Sequence, residues 1–300
     1  MVDRVEVFDQ NRPLLFSIAY RMTGSVMEAE DAVQEAYLRW QQADEGEVRS
    51  PSAYLSTIVT RLCIDRLRSA RVRREQYVGP WLPEPVLGEQ GQEIGDRAEL
   101  EDTLSMAFLV LLESLTPVER AVFLLREVFG YEYAEIASFV GKSEANCRQI
   151  SRRARPAVVA RRPRFESSPE QEERLMEGFL EASLAGNMEV LLALLSDDVI
   201  LYSDGGGKAR AALNPIFGSE NVVRFLTAIL GEIPPDFAVR RTRVNGRPGL
   251  VGYFGDGSVQ SVSSIEVSDG TITAIRLVVN PEKLQNVPPL EQVDRDEGPL

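Results

Sequence analysis

Apolar residues recur at helical spacing through the first half of the chain and at alternating spacing in its last third, so the sequence divides before any motif is sought. Leu14, Leu15, Ile18 and Ala19 open one helix, and Ala32, Val33, Ala36, Tyr37 and Trp40 stripe a second from about Glu28. A third begins after Ser50-Pro51 with Leu55, Ile58, Val59, Leu62 and Cys63 on one face. Residues 76–98 hold Pro and Gly without a period and read as a linker. Helix resumes with Leu104, Ala107, Phe108, Leu111, Leu112 and Leu115, stops at Thr116-Pro117 and restarts at once. Thr116 as N-cap, Pro117 at the first helical position and Glu119 three residues after the cap match a capping box. From residue 166 the pattern changes. Residues 171–195 read as helix, Val199 to Ser203 as a short strand, and Glu220 to Leu230 as helix. Strands follow over 237–244, 249–254, 259–267 and 271–279, with hairpin turns at Asn245-Gly246, Asp256-Gly257 and Asp269-Gly270. The expected fold is multidomain: two all-α modules (1–75 and 99–165) joined by the linker, an α+β domain with an antiparallel meander (166–287), and an acidic tail (288–300).

Between the second module's first helices and residue 165, one stretch carries chemistry. Tyr133, Ile136, Ala137 and Val140 form an apolar stripe, the chain breaks at Gly141-Lys142, and Ser143 caps a new helix in which Cys147, Ile150 and Ala154 share a face. That is a helix-turn-helix pattern. A helix so placed offers its first residues to base edges and its later arginines to phosphates. Ser143, Glu144, Arg148 and Gln149 are therefore the reading candidates, and Arg152, Arg153 and Arg155 the positioning candidates. A solvated cationic helix closing an ordinary bundle is the other reading of the same residues.

Charge sharpens the choice. The 300 residues include 33 basic and 46 acidic ones, a net of −13, yet from Ala145 to Phe165 there are seven arginines and no Asp or Glu. The third helix also ends basic, with Arg61, Arg66, Arg68, Arg71, Arg73 and Arg74 against Asp65 and Glu75. Cationic blocks thus stand against an anionic background that by itself repels DNA. The N-terminal residues are charged and no apolar run approaches a membrane span, so a cytoplasmic protein that does not engage membrane is expected. No histidine occurs, which removes Ser-His and Cys-His nucleophiles and histidine-based metal sites. Cys63 and Cys147 form no CxxC pair and sit on predicted buried faces; neither metal nor cofactor is expected.

DAVQEAYLRW (31–40), the basic helix AYLSTIVTRLCIDRLRSARVRRE (53–75) and the run from Leu115 to Arg155 resemble conserved regions two and four of bacterial sigma factors of the extracytoplasmic-function (ECF) type. The third domain resembles the SnoaL-like, cystatin-related α+β fold. DGGGK (Asp204, Gly205, Gly206, Gly207, Lys208) and NPEKL (Asn280, Pro281, Glu282, Lys283, Leu284), with WLPEP in the linker (Trp81, Leu82, Pro83, Glu84, Pro85), look like signatures of the subgroup that carries that domain. The resemblance implies a transcription-initiation factor whose partners are core RNA polymerase and promoter DNA. It assigns Asp31, Gln34, Glu35, Leu38 and Arg39 to polymerase docking. It assigns Tyr54 and the arginines from Arg61 to Arg74 to the opened minus-ten strand, for which a cationic track with an aromatic supplies suitable chemistry. The helix-turn-helix then reads the minus-thirty-five element. Where many relatives place an asparagine near the flipped base, this chain has Arg61.

For the third domain the resemblance and the residues together suggest regulation in cis, with WLPEP, DGGGK and NPEKL forming the regulatory interface. No separate anti-sigma protein is then expected, and the free chain is expected as a monomer. Two other readings stand beside this one. Asp204 in an apolar pocket could act as a general base of a small-molecule enzyme, since a relative of the fold is a polyketide cyclase. Alternatively, the chain could be a one-component helix-turn-helix regulator with an effector-binding C-terminal domain, although the Arg61–Arg74 helix is redundant in such a protein.

Overall fold

The computed structural model describes residues 4–43, 48, 50–88, 103–159 and 167–290, with backbone only at 71–75, 157 and 159. The described residues fall into two compact units, one of residues 4–76, 103–104 and 108–159, the other of 77–88, 105–107 and 167–290.

In the helical unit α1 spans Arg4–Thr23, α2 Val26–Gln42 and α3 Pro51–Glu75. Periodicity placed the start of α1 near Leu14, and the helix begins ten residues earlier with Pro13 inside it. A distant partner fixes that extension. The Arg4 guanidinium donates to the carbonyls of Trp40, Gln41 and Ala43 at 3.1, 2.8 and 2.6 Å, closing the end of α2, while Trp40 Nε1 donates back to Arg4 O at 2.9 Å. Leu15, Ile18, Ala32, Val33, Ala36, Leu55, Val59 and Cys63 are buried as the stripes require.

Next come α4 (Met106–Leu112), α5 (Pro117–Phe123, running into a π turn over Leu124–Val128), α6 (Tyr133–Val140) and α7 (Glu144–Val159). Thr116 and Glu119 form the expected capping box before α5. The α6–α7 turn is made by Gly141 at φ 65°, which ends α6 in the left-handed region. The three helices α1–α3 and the four helices α4–α7 share one packed body: buried Arg120 donates to the Leu112 and Met22 carbonyls at 3.1 and 2.7 Å and pairs with Glu113 at 2.7 Å. Burial pushes its pKa down to about 9, still above neutral pH, so the guanidinium bridges α1, α4 and α5 as a cation.

In the second unit the helix expected over 171–195 is two, α8 (Pro169–Leu184) and α9 (Met188–Leu194). They break where Gly186 takes φ 63° and Asn187 accepts from Val190 N at 3.2 Å as a cap. The strands are β1 (Leu195–Asp204), β2 (Ile216–Phe217), β3 (Ala238–Val244), β4 (Arg247–Tyr253), β5 (Val259–Ser268) and β6 (Thr271–Val278), with α10 (Ser219–Leu230) between β2 and β3. Their order is β2-β1-β6-β5-β4-β3. Strands β3 to β6 form the antiparallel meander. β1 is longer than the sequence suggested and lies parallel to β6, a long-range pairing that local alternation does not encode. Asn245-Gly246 and Asp269-Gly270 turn with both residues at positive φ, as the two-residue hairpins need. Met176, Phe179, Leu191, Val199, Leu201, Val222 and Ile272 fill the space between sheet and helices.

Candidate nucleic-acid interface and linker clasp

α7 presents the face that the sequence predicted. Cys147, Ile150 and Ala154 are buried, while Ser143, Arg148, Gln149, Arg152, Arg153 and Arg155 are exposed and Glu144 is half-buried. Ser143 Oγ accepts from Asn146 N at 3.3 Å, which fixes the first turn. Arg148 is held by an ion pair with Glu144 one turn back and by the Tyr133 ring, whose centroid is 5.3 Å from its guanidinium carbon. Arg153 and Arg155 approach Glu119 and Glu127 at 4.0 and 3.5 Å. The guanidinium groups of these pairs are exposed, with Glu119 and Glu144 half-buried, and phosphates can replace the carboxylates at small cost.

On α3 the cations are less uniformly free. Arg61 donates to two backbone carbonyls at the end of α6, Nε to Phe139 O at 3.0 Å and Nη2 to Ser138 O at 2.8 Å. Arg66 turns to α2, reaching Glu28 O at 3.0 Å and Asp31 at 3.4 Å, and Arg68 pairs with Asp65 at 3.0 Å. Tyr54 is half-buried with its ring centroid 6.1 Å from that of Trp40. The side chains of Arg71, Arg73 and Arg74 lie outside the described residues. A second contact between the two helix groups joins Ser56 Oγ and Tyr131 OH at 3.0 Å. Cys63 is buried, and burial pushes its thiol up to about 12, so it stays neutral packing material.

Asp31, Gln34, Leu38 and Arg39 are exposed on α2 and Glu35 is half-exposed, paired with Arg39 at 2.8 Å. Leu38 keeps half its surface in water. This strip of carboxylates around one apolar side chain suits a basic protein partner and repels DNA.

The linker is gripped by the second unit. Asp204, at the end of β1, is 0% exposed. Its Oδ1 accepts from Tyr77 OH at 2.6 Å, and its Oδ2 accepts from Leu82 N and from Lys283 Nζ, each at 2.7 Å. Lys283 also donates to Leu82 O and stands 4.3 Å from the Trp81 ring centroid and 5.0 Å from that of Tyr77. Asn280 Nδ2 donates to Tyr77 OH at 2.9 Å, while its Oδ1 caps the Pro281–Lys283 turn at Glu282 N. Burial first, then the hydrogen bond to Asp204, pushes the Tyr77 pKa up, so the phenol remains a donor.

The glycines serve this approach. A Cβ on Gly206, at φ 57°, would run into Asn280 and Tyr77, one on Gly205 into Ala209 O, and one on Gly207 would press Val78. Lys208 and Glu282 pair at the surface, and Leu82, Pro83, Glu84, Pro85 and Leu284 are buried. Farther along, Val86 N donates to Asn245 Oδ1 at 3.1 Å and Asn245 N to Val86 O at 2.7 Å, with a β-bridge from Leu87 to Val244. The three motifs singled out in the sequence therefore meet. Tyr77, Val86 and Asn245 belong with them and were missed: a tyrosine before the motif and a turn asparagine carry no local signal of a partner more than a hundred residues away.

Residues 7–73 match the family model for Sigma-70 region 2, and residues 105–157 the model for Sigma-70, region 4. The ECF RNA polymerase sigma factor SigJ of Mycobacterium tuberculosis is 37% identical over 296 residues, covering 95% of this chain and 94% of its own. The probable ECF RNA polymerase sigma factor SigI of the same species is 31% identical over 276 residues, covering 91% and 92%. The crystal structure of M. tuberculosis SigJ aligns at a TM-score of 0.74 with 35% identity, over 95% of this chain and 99% of that one. Among the described residues no helix is long and apolar enough to cross a membrane. Two promoter-factor modules in order, the segment between them and the α+β unit after them are all included in these matches, and the chain belongs to the family of ECF RNA polymerase sigma factors.

Proposed function

We propose that this sigma factor is restrained from within, its C-terminal unit acting in cis through the linker between the two promoter modules. In this reading the α2 strip Asp31, Gln34, Glu35, Leu38 and Arg39 docks on core polymerase. Tyr54 and the arginines from Arg61 to Arg74 hold opened minus-ten strand, and α7 reads the minus-thirty-five duplex. One observation carries the regulatory part: the buried Asp204 carboxylate binds the linker backbone at Leu82 N. A peptide of the length of residues 77–88 can span about 40 Å when extended at roughly 3.4 Å per residue. Clasped, it contributes none of that reach, which narrows the separation at which the two modules can take up sites along a promoter. Two weak contacts on one polymerase become strong only when the tether lets both engage. A fused restraint of this kind needs no separate anti-sigma protein.

The surroundings of Asp204 speak against its serving as the general base of an enzyme. Three donors occupy Asp204, and its neighbour Ser203, not Asp204, belongs to the face of β1 that lines the interior of the unit.

Reconstitution of the full chain with core polymerase on a promoter library tests the proposal. Transcripts starting at a defined position are expected, and they should be lost when Asp31→Asn and Glu35→Gln are combined. The free chain is expected to bind duplex promoter weakly, with affinity falling about 10³- to 10⁵-fold between 50 and 200 mM salt if it contacts six to ten phosphates. No defined transcript from any promoter, or tight occupancy of duplex DNA by the chain alone, rejects it.

A further inference from the structure

The α+β unit holds a cavity of about 390 Å³ that opens to the surface, within the size range of small-molecule sites. Its walls come from α8, α10, the segment after α10 and the inner face of the sheet, and they are mostly apolar, with Phe179, Phe225, Ile229 and Phe237 among them. Among the lining residues the one charged side chain is Arg210, which is largely exposed and paired with Glu232. The polar groups inside are serines and one glutamine: Ser183, Ser203, Ser261, Ser263 and Gln260.

Two of those hydroxyls are unusual. Ser203 is 1% exposed, and its Oγ has no hydrogen-bond partner among the described residues; the buried Oγ of Ser183 has none either. A buried hydroxyl left unpaired loses its hydration with no hydrogen bond in return, and native proteins hold few such groups. Two in the lining of one cavity, one from a strand and one from a helix, is an arrangement that packing alone does not require. Valine at 203 or alanine at 183 would fill the same space without that cost.

We propose that this cavity is a binding site for a neutral, mainly hydrocarbon small molecule that carries a hydroxyl or carbonyl to hydrogen-bond Ser203 and Ser183. Charge is disfavoured by the walls: the one charged lining side chain, Arg210, is exposed and already paired with Glu232, so an ion seated among the apolar groups loses its hydration without a free opposite charge to replace it. The lining holds no Asp, Glu, His, Cys, Lys or Tyr, so the site has no group to take or give a proton and acts as a receptor. Its position also joins it to the linker clasp. Ser203 precedes Asp204 and Val279, another lining residue, precedes Asn280, and Asp204 O accepts from both Val279 N and Asn280 N at 2.9 Å.

The test uses the full chain and no polymerase, so its failure leaves the sigma-factor reading untouched. N-phenyl-1-naphthylamine, a neutral fluorophore, should bind saturably at one site per chain and be displaced by 1-decanol. Decanoate and decylammonium at pH 8 should displace it poorly. Ser183→Phe, which fills the cavity from a helix surface, should abolish saturable binding with an unchanged circular-dichroism spectrum. Ser203→Val should weaken decanol about three- to tenfold, as expected for one lost hydrogen bond, and leave decane unchanged. Because a variant can misfold, the wild-type comparison stands alone as a second measure: decanol should raise Tm and decanoate should not. No saturable binding to the wild type, which would assign both hydroxyls to water, overturns the proposal. Equal displacement by decanoate, or undiminished binding in a folded Ser183→Phe chain, also overturns it.

Discussion

Two clasps hold elements of the promoter-binding apparatus, and they differ in what water can do to them. Arg61 joins α3 to the end of α6 by two hydrogen bonds to backbone carbonyls from an exposed guanidinium. Asp204 and Lys283 join the linker to the α+β unit by a buried ion pair whose remaining bonds go to Tyr77 and the Leu82 backbone. Water or a phosphate can take over the first one bond at a time. The second comes apart only as a unit, because either charge left alone in that interior is poorly solvated. Of the contacts between the promoter modules, that of Arg61 is thus the readily reversible one, whereas the Arg120 bond to Met22 O and the linker clasp are buried; in the proposed function the linker carries the restraint.

Breaking the buried clasp has the largest expected effect. Asp204→Ala strips Lys283 of its carboxylate and should cost about 3–5 kcal/mol, a fall of roughly 10 °C or more in Tm for a domain of this size. The linker around Trp81 and Leu82 should become cleavable under limited proteolysis, and promoter-dependent transcription with core polymerase should change. Asp204→Leu combined with Lys283→Met should recover stability without restoring the linker contact, because the donor and acceptor that Leu82 uses are both gone. If the single substitution leaves proteolysis and transcription as in the wild type, the linker is not the restraint.

Arg61→Ala comes next and bears on the other side of the comparison. Two exposed hydrogen bonds at about 0.5–1.5 kcal/mol each set an upper limit of a few degrees in Tm. Promoter opening, read by permanganate reactivity of minus-ten thymines, should fall much more than stability does, because Arg61 also stands in the position assigned to opened strand. A stability loss as large as that of Asp204→Ala would mean that the two clasps are alike.

The two clasps also mark what could be read from sequence. The arginine face of α7 was legible because burial of Cys147, Ile150 and Ala154 follows from spacing alone, which leaves Arg148, Arg152 and Arg155 outside. The capping box at Thr116 and the hairpins at Asn245 and Asp269 were legible because each is set within four residues. Partners far along the chain were not. Arg61 faces a pair of backbone carbonyls, which have no sequence signature, and the parallel pairing of β1 with β6 joins strands more than sixty residues apart. DGGGK was visible as a motif and ambiguous as chemistry. Only the burial of Asp204 and the two residues that a Cβ on Gly206 would meet, Tyr77 and Asn280, separate an anchor from a base.

The smallest effect is expected at a third exposed contact, of the Arg61 kind, and it tests whether such contacts are tuned by charge. Glu119 accepts from Thr116 Oγ1 at 2.7 Å and from Thr116 N at 3.0 Å, and Arg153 of α7 stands 4.0 Å away. The Thr116 hydroxyl above all, with its backbone N–H and then Arg153, holds this carboxyl below the usual range against a desolvation effect of opposite sign. A carboxylate whose folded pKa lies below its unfolded value stabilises the fold in full above the ordinary glutamate pKa of about 4.3. That stabilisation is lost as pH falls through the folded value. Glu119→Gln keeps an acceptor for Thr116 N but has no charge to lose. The gap in urea midpoint between wild type and variant should therefore be open at pH 7 and close as pH falls below about 4. A gap of constant size from pH 7 to pH 3.5 would show that the cap works by shape alone. Arg153 would then owe nothing to Glu119, and exposed contacts beside the arginine face of α7 would be weaker still than the comparison with Asp204 requires.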